Sequence, residues 1–182
     1  MKKEIERKFV LKDLPVQPYI LMSEGLFPRI EVQDITQYYY LVGEVWYRIR
    51  EIDSNLSKLR TYLHTIKTYI DGICYEEERD YTYVEYKSLM DEIHSGKYEC
   101  TALRKTRYIY LTNIEADFDG EIKKLKWEID VFNFNLVVAE IEIPELDYPV
   151  EIPDYIKSKL IYEVTGIQEF SNRNLSEPLR TT

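Results

Sequence analysis

Two cysteines in 182 residues are too few for a disulfide framework, so a packed core has to hold this fold together. Cys74 and Cys100 also lack a neighbouring histidine pattern, which argues against a thiol nucleophile and fits two free thiols in a reducing cytoplasm. Apolar runs are short, and none approaches the roughly 18 residues that a membrane span requires. The opening Met1-Lys2-Lys3-Glu4-Ile5 has the charge of a signal n-region with no apolar stretch behind it, so export is not expected and the cytoplasm is. Basic residues are outnumbered, 24 Lys and Arg against 33 Asp and Glu, for a net charge of −9. That balance argues against general nucleic-acid binding. It does not exclude a compact anionic ligand, because local arrangement and bound metal decide that. Histidine is nearly absent: His64 falls on the outward face of a strand and His94 in a helix, and both read as structural. No repeat, low-complexity segment or linker interrupts the chain, so residues 1–182 read as a single domain long enough for a substantial core.

What is abundant is tyrosine, with 17 residues, alongside many Ile and Val, and this favours a β-rich fold. The stretch 4–10, Glu-Ile-Glu-Arg-Lys-Phe-Val, sets the pattern. With period two, Glu4, Glu6 and Lys8 line one face and Ile5, Arg7 and Phe9 the other. Further strands are expected at 34–42 and 45–52, joined by a Gly43-Glu44 turn, and at 59–69 and 73–82, joined by Asp71-Gly72. Others follow at 101–111, 123–132 and 136–143. One clear helix is expected over 83–95, with Val84, Leu89, Met90 and Ile93 as its apolar stripe and Gly96 as its stop. Short helices are expected at 19–24 and 154–160, and a polar end from Ser171.

The same phase returns strand after strand. Arg48 and Arg50 share a face, as do Glu76, Glu78 and Asp80; Lys105 and Arg107; Glu128 and Asp130; and Glu140 and Glu142. Lys67 lies in phase with Thr65. Eight strands joined mostly by hairpins predict a mainly β fold with an antiparallel sheet large enough to close into an eight-stranded barrel with a few peripheral helices. The charges either face water or line an interior, and one long helix is too little to cover eight apolar rows. Mixed signs allow an interior to pair its own charges, since unpaired ones cost several kcal/mol each. Tandem basic residues suit phosphate, and paired carboxylates supply the oxygens that Mg²⁺ or Mn²⁺ prefers. A metal-dependent phosphate-chain site and a structural salt-bridge lattice both fit this pattern.

Glu4-Ile5-Glu6-Arg7-Lys8-Phe9 resembles the opening Glu-x-Glu-x-Lys signature of the CYTH, or triphosphate tunnel metalloenzyme, superfamily. The resemblance continues in order through Tyr47-Arg48-Ile49-Arg50, Thr65-Ile66-Lys67, Glu76-Glu77-Glu78 and Arg104-Lys105-Thr106-Arg107-Tyr108. It then runs through Trp127-Glu128-Ile129-Asp130-Val131-Phe132, Val138-Ala139-Glu140-Ile141-Glu142 and Tyr162-Glu163-Val164-Thr165-Gly166, to Asn172. It implies a closed tunnel that binds a triphosphate lengthwise with divalent cations, Mg²⁺ or Mn²⁺. By position it makes Glu4, Glu6 and Glu142 metal ligands, with Glu128, Asp130 and Glu140 as further ligands or their support. It makes Lys8, Arg48, Arg50, Lys67, Lys105 and Arg107 phosphate-binding, and places Tyr39 near a tyrosine that works with the first-strand lysine to activate water. Tyr38 and Tyr40 flank that position. Two departures concern substrate choice: Gln168 and Glu169 stand where relatives are often basic, and Cys74 falls near another basic position.

The activity this implies is hydrolysis of a triphosphate such as inorganic tripolyphosphate or an organic or nucleoside triphosphate. Cyclisation of ATP, as in class IV adenylyl cyclases, is the alternative, and non-catalytic capture of a phosphate compound is a third reading. If the charged rows point inward, then Tyr108, Tyr110, Trp127, Ile129, Val131, Ile141 and Ile143 point outward. With too little helix to cover them, a homodimer is expected.

Overall fold

The computed structural model describes residues 1–15, 30–71 and 73–179; the helix expected at 19–24 and Gly72 lie outside them. The strands are β1 (Lys2–Glu4), β2 (Glu6–Leu11), β3 (Ile30–Val42), β4 (Val45–Ser54), β5 (Thr61–Ile70) and β6 (Ile73–Tyr81). After helix α1 (Tyr83–His94) come β7 (Cys100–Phe118), β8 (Glu121–Phe132) and β9 (Val137–Glu142). A short α2 (Asp154–Lys157), β10 (Leu160–Glu163), a 3₁₀ turn (Gln168–Phe170) and β11 (Glu177–Pro178) complete the described elements.

All eleven strands belong to one sheet, in the order β1-β6-β5-β4-β3-β7-β8-β9-β2-β10, with β11 attached to β7. The mainly antiparallel β class is as expected. The closed eight-stranded barrel is not: the order is an open path ending in β1 and β10, and the sheet is not closed into a barrel. The physical reason is in the first strand, which breaks at Ile5. Its first three residues pair with β6, while Glu6–Leu11 takes β9 on one side and β10 on the other.

Local chemistry explains the elements. Gly43 opens the two-residue hairpin between β3 and β4 with φ 62°, a positive value that glycine adopts without a Cβ clash. Asp119 and Gly120 both take positive φ, 55° and 91°, as a type I′ turn between β7 and β8 requires. β7 runs seven residues past the expected Leu111. Its register slips between Leu111 and Glu115, where the Thr112 hydroxyl donates to the Leu125 carbonyl (2.8 Å) and accepts from the Ile114 amide (3.1 Å). The side chain thus replaces backbone partners that the slip removes. α1 starts in a capping box: Thr82 Oγ1 accepts from the Glu85 amide, and Glu85 Oε2 accepts from the Thr82 amide (2.8 Å). Its buried stripe is Tyr86, Met90 and Ile93, at i, i+4 and i+7. Val84, expected in that stripe, faces solvent.

The chain groups into two compact units. The first comprises Met1–Lys3, Asp34–Arg104 and Gln168–Thr182. Its core is Tyr40, Ile49, Tyr86, Met90, Ile93 and Cys100, bordered by further tyrosines. His64 sits among these rings with Nε2 2.6 Å from the Tyr40 hydroxyl and its ring stacked on Tyr81 at 4.8 Å. The second unit comprises Glu4–Gln33 and Lys105–Ile167. Phe9, Tyr110, Trp127, Ile129, Ala139, Ile141 and Ile143 form its core, with Ile156 and the adjoining Val150, Ile152 and Tyr155.

That second core removes the premise of the homodimer argument. Tyr110, Trp127, Ile129, Ile141 and Ile143 do share the apolar face, but they are at most 2% exposed within the chain itself. The cover comes from the segment around α2, where Ile156 is fully buried. Among the described residues no helix is long and apolar enough to cross a membrane.

Candidate functional site

In the second unit, strand register places the charged residues against one another. On β2 and β9, Glu6 faces Glu142 and Lys8 faces Glu140. On β8 and β9, Glu128 faces Glu140, and on β7 and β8 Arg107 faces Asp130. Two carboxylates directly opposite each other repel, so Glu128 and Glu140 need a cation between them. Arg107 supplies it: Nη1 bonds Glu128, Nη2 reaches Glu140 (3.1 Å), and Nε and Nη2 grip Asp130 (each 2.7 Å). Lys105 Nζ donates to the same Asp130, with both side chains fully buried. Lys8 Nζ lies 2.8 Å from Glu140 and 3.1 Å from Glu6. Lys126 adds a partner for Glu128.

Burial alone would discharge these groups, and the neighbours reverse that outcome. For Lys8, burial lowers the pKa, but Glu140 and Glu6 outweigh it and the ammonium is held well above its ordinary value. For Glu140, burial is overcome by Lys8, Lys105 and Arg107, and the carboxyl stays far below the usual range. Glu128, also buried, is pulled to about 2 by Arg107 and Lys126. Lys8, Arg107, Glu128 and Glu140 are therefore held in their charged forms at neutral pH.

The first unit carries a second cluster. Arg48 Nη2 donates to Thr65 Oγ1 (3.0 Å) and reaches Glu78 (3.2 Å) and Glu76 (3.3 Å). Lys67 Nζ lies 2.7 Å from Glu76, its partner in register across β5 and β6. Glu76 is held below its ordinary value: burial would raise it, and Lys67 and Arg48 lower it further. Arg50 Nε reaches Gln37 Oε1 (3.4 Å), and Gln37 Nε2 donates to the Tyr39 hydroxyl (3.1 Å). Of three consecutive tyrosines, Tyr39 has the face of Gln37 and Arg50, whereas Tyr38 and Tyr40 pack in the aromatic core. That separates Tyr39 from its neighbours as the functional candidate.

The structure thus gathers Glu6, Lys8, Lys105, Arg107, Glu128, Asp130 and Glu140 in one unit, with Glu142 beside Glu6. It gathers Arg48, Arg50, Lys67 and Tyr39 in the other. Glu4 ends β1, separated from β2 by Ile5 alone. Sequence reasoning missed Gln37, Thr65 as a bridge, and the brace Arg7–Glu163–Thr165. There the Arg7 guanidinium holds Glu163 in two bonds (2.9 and 2.8 Å), and Thr165 Oγ1 donates to Glu163 and accepts from the Lys8 amide (3.0 Å). Gln37 was findable, since it is two residues from Tyr39 and so on its face. Gln168 and Glu169, the departures from the basic pattern, lie in the 3₁₀ turn of the first unit.

The carboxylates offer oxygen donors only, which suits a hard divalent cation, and the like-charged Glu6–Glu142 opposition is eased by one. Among the described residues no three His, Cys, Asp or Glu are grouped as a metal site; Lys8, Lys105 and Arg107 occupy the spaces between these carboxylates. The donor type fits such a cation.

No family model matches the chain. The chain is 29% identical over 178 residues to a protein named inorganic triphosphatase from Acetivibrio thermocellus, covering 96% of this chain and 94% of that protein. Among solved structures it is similar to a conserved hypothetical protein from Pyrococcus furiosus, with 20% identity, a TM-score of 0.48 and coverage of 85% and 84% of the two chains. It is also similar to a putative adenylyl cyclase from Hippeastrum described as having a dominant triphosphatase activity, with 17% identity, a TM-score of 0.42 and coverage of 78% and 80%. With charged rows recurring in order from Glu4 to Glu163 and a protein named inorganic triphosphatase matched along nearly its whole length, the chain is similar to that triphosphatase, in keeping with its resemblance to the CYTH, or triphosphate tunnel metalloenzyme, superfamily.

Proposed function

We propose that this protein hydrolyses a triphosphate, inorganic tripolyphosphate being the first substrate to test, with Mg²⁺ or Mn²⁺ as cofactor. The observation that carries the reading is the ion-pair lattice of Lys8, Lys105 and Arg107 against Glu6, Glu128, Asp130 and Glu140. The near full-length likeness to a protein named inorganic triphosphatase supports it. A purely structural core of this size would be as stable, or more so, with apolar side chains. Keeping the charges is sensible where they have a charged ligand to meet.

Each group has a role in this reading. Lys8, Lys105 and Arg107 bind phosphate oxygens and neutralise the charge that spreads over them during phosphoryl transfer. Arg48, Arg50 and Lys67 give the first unit its own phosphate-binding groups. Glu4, Glu6 and Glu142 would hold the divalent cation, with Glu140, Glu128 and Asp130 as further ligands or as anchors for the basic residues. Held by those carboxylates, such a cation would supply Lewis-acid polarisation of a phosphoryl oxygen. Lys8 and Tyr39 are the catalytic candidates: Lys8 as a permanently charged group on the transferred phosphoryl, Tyr39 as the hydroxyl that holds or moves a proton.

Phosphate release from tripolyphosphate, with each metal and after chelation, tests the proposal. Wild-type protein should be active, and folded Glu4→Gln and Lys8→Ala proteins inactive. Full activity in those variants would move the site elsewhere. Absence of phosphate release from tripolyphosphate, thiamine triphosphate and ATP would sink the hydrolase reading, and cyclic AMP as the product from ATP would replace it with cyclisation.

A further inference from the structure

Gln37 is fully buried, with none of its surface exposed, and its amide lies between Arg50 and Tyr39. The chemistry of those two neighbours fixes which way the amide points. A guanidinium can only donate, so the atom 3.4 Å from Arg50 Nε has to be the carbonyl oxygen Oε1. The NH₂ group then faces the Tyr39 hydroxyl, 3.1 Å away. An amide nitrogen cannot accept. The phenol oxygen of Tyr39 therefore accepts from Gln37, and the phenol's own proton has to be given elsewhere.

We propose that Gln37 is a positioning residue: it couples Arg50 to Tyr39 and holds the phenol so that it accepts from the protein and donates outward, to a phosphate oxygen or a water of the bound substrate. The inference rests on the assignment of Tyr39 to catalysis made above. The relay Arg50 to Gln37 to Tyr39 is contained within the first unit and joins β3 to β4. Because one member, Arg50, is also a phosphate-binding candidate, the relay ties the direction of the phenol's proton to the position of a group that grips substrate. Full burial adds to its effect, since no water competes for the amide.

Three substitutions test this. Gln37→Leu removes both bonds at nearly constant volume and is expected to lower kcat for tripolyphosphate roughly tenfold, the effect of one hydrogen bond lost in the reacting state, with KM within about twofold. Gln37→Glu keeps an acceptor for Arg50 but presents only acceptors to Tyr39, so it turns the phenol proton inward. It should lower kcat at least as far, and it carries the same test if the leucine variant does not fold. On a Tyr39→Phe background either change should add less than about twofold, because the group it positions is gone. Additive losses, or wild-type kcat in both Gln37 variants, would overturn the inference. Wild-type turnover in Tyr39→Phe would also overturn it while leaving triphosphate hydrolysis intact. A second readout stands apart from activity: the ¹³Cζ resonance of Tyr39, identified by its disappearance in Tyr39→Phe, should move in both Gln37 variants. An unmoved resonance rejects the relay even if the enzyme is active. A moved one supports the relay even if no triphosphate is hydrolysed, in which case only the catalytic reading fails.

Discussion

Replacing Asp130 by Asn should destabilise this protein far more than its change of one atom suggests. Asp130 is fully buried. It accepts from Arg107 Nε and Nη2, each at 2.7 Å, and from Lys105 Nζ. Asparagine has nearly the same shape but no charge, and it turns one acceptor into a donor that faces donors. Arg107 retains Glu128 and Glu140, whereas Lys105, whose side chain is fully buried, loses its closest carboxylate. Removing one partner of a buried pair costs about 3–5 kcal/mol, because the remaining charge stays desolvated. For a chain of this size each kcal/mol moves the melting midpoint by about 2–4 °C, so a fall of roughly 6–20 °C is expected. Urea unfolding should show a lower midpoint at unchanged slope, which assigns the loss to stability rather than to compactness. The Lys105→Met, Asp130→Asn double variant should be less destabilised than the sum of the single variants, since the stranded charge has been removed. Lys87→Ala, which breaks an exposed pair with Asp91, serves as the control and should leave the midpoint unmoved. A loss below about 1 kcal/mol for Asp130→Asn, the range of exposed pairs, would refute the claim that the pairs of Asp130 with Lys105 and Arg107 behave as buried ones.

Four further outcomes are expected. Glu128, Glu140 and Glu76 have folded values below their ordinary 4.5, Glu128 at about 2; below pH 4.5 the unfolded chain takes up protons the folded one does not, so denaturant midpoints should fall steadily from about pH 4.5 toward 2. Burial, assisted by Arg79, lowers the pKa of His64 below 6.5, so stability should also decline as pH drops below 6.5, and midpoints of His64→Phe should lose that upper part of the slope. Burial pushes the Cys100 thiol up to about 11, so with a disulfide reagent at pH 8 one thiol should react promptly and the second only after denaturation. Thr82→Ala removes the hydroxyl that caps α1 and should cost about 1 kcal/mol in thermal unfolding while leaving tripolyphosphate turnover unchanged.

The charged faces were legible because a strand has an unforgiving period: a residue two places along has to share its neighbour's side. Thus Lys8 with Glu6, Lys105 with Arg107, and Glu140 with Glu142 could be assigned to a common face before any pairing was known. Register was not legible. That Glu140 would meet both Lys8 and Glu128 depends on how β9 is aligned between β2 and β8, and no local signal specifies that alignment. Closure failed for a related reason. Counting strands treats residues 4–10 as one unit, whereas the break at Ile5 sends β1 and β2 to different neighbours. The cover of the apolar face was hidden because Val150, Ile152, Tyr155 and Ile156 lie in stretches too short for their pattern to say what they pack against, and they become a layer only against an existing core.

The residues that reasoning from charge overlooked are the neutral ones, Gln37, Thr65 and Thr165, and their positions explain why they are needed. A lattice of arginines, lysines and carboxylates is strong but indifferent to direction, since charge attracts from any side. A buried amide or hydroxyl has a donor end and an acceptor end, so it can fix orientation where ions alone would not. Thr65 accepts from Arg48 and donates to Glu78 (3.0 Å), and Thr165 links the Lys8 backbone to Glu163, which Arg7 holds. In each case a neutral group is bonded to a charged side chain and helps set its geometry. Phosphoryl transfer depends on placing positive charge to within fractions of an ångström of where negative charge develops. By that reasoning the neutral bridges, as much as the ions they align, should govern how fast a bound triphosphate reacts.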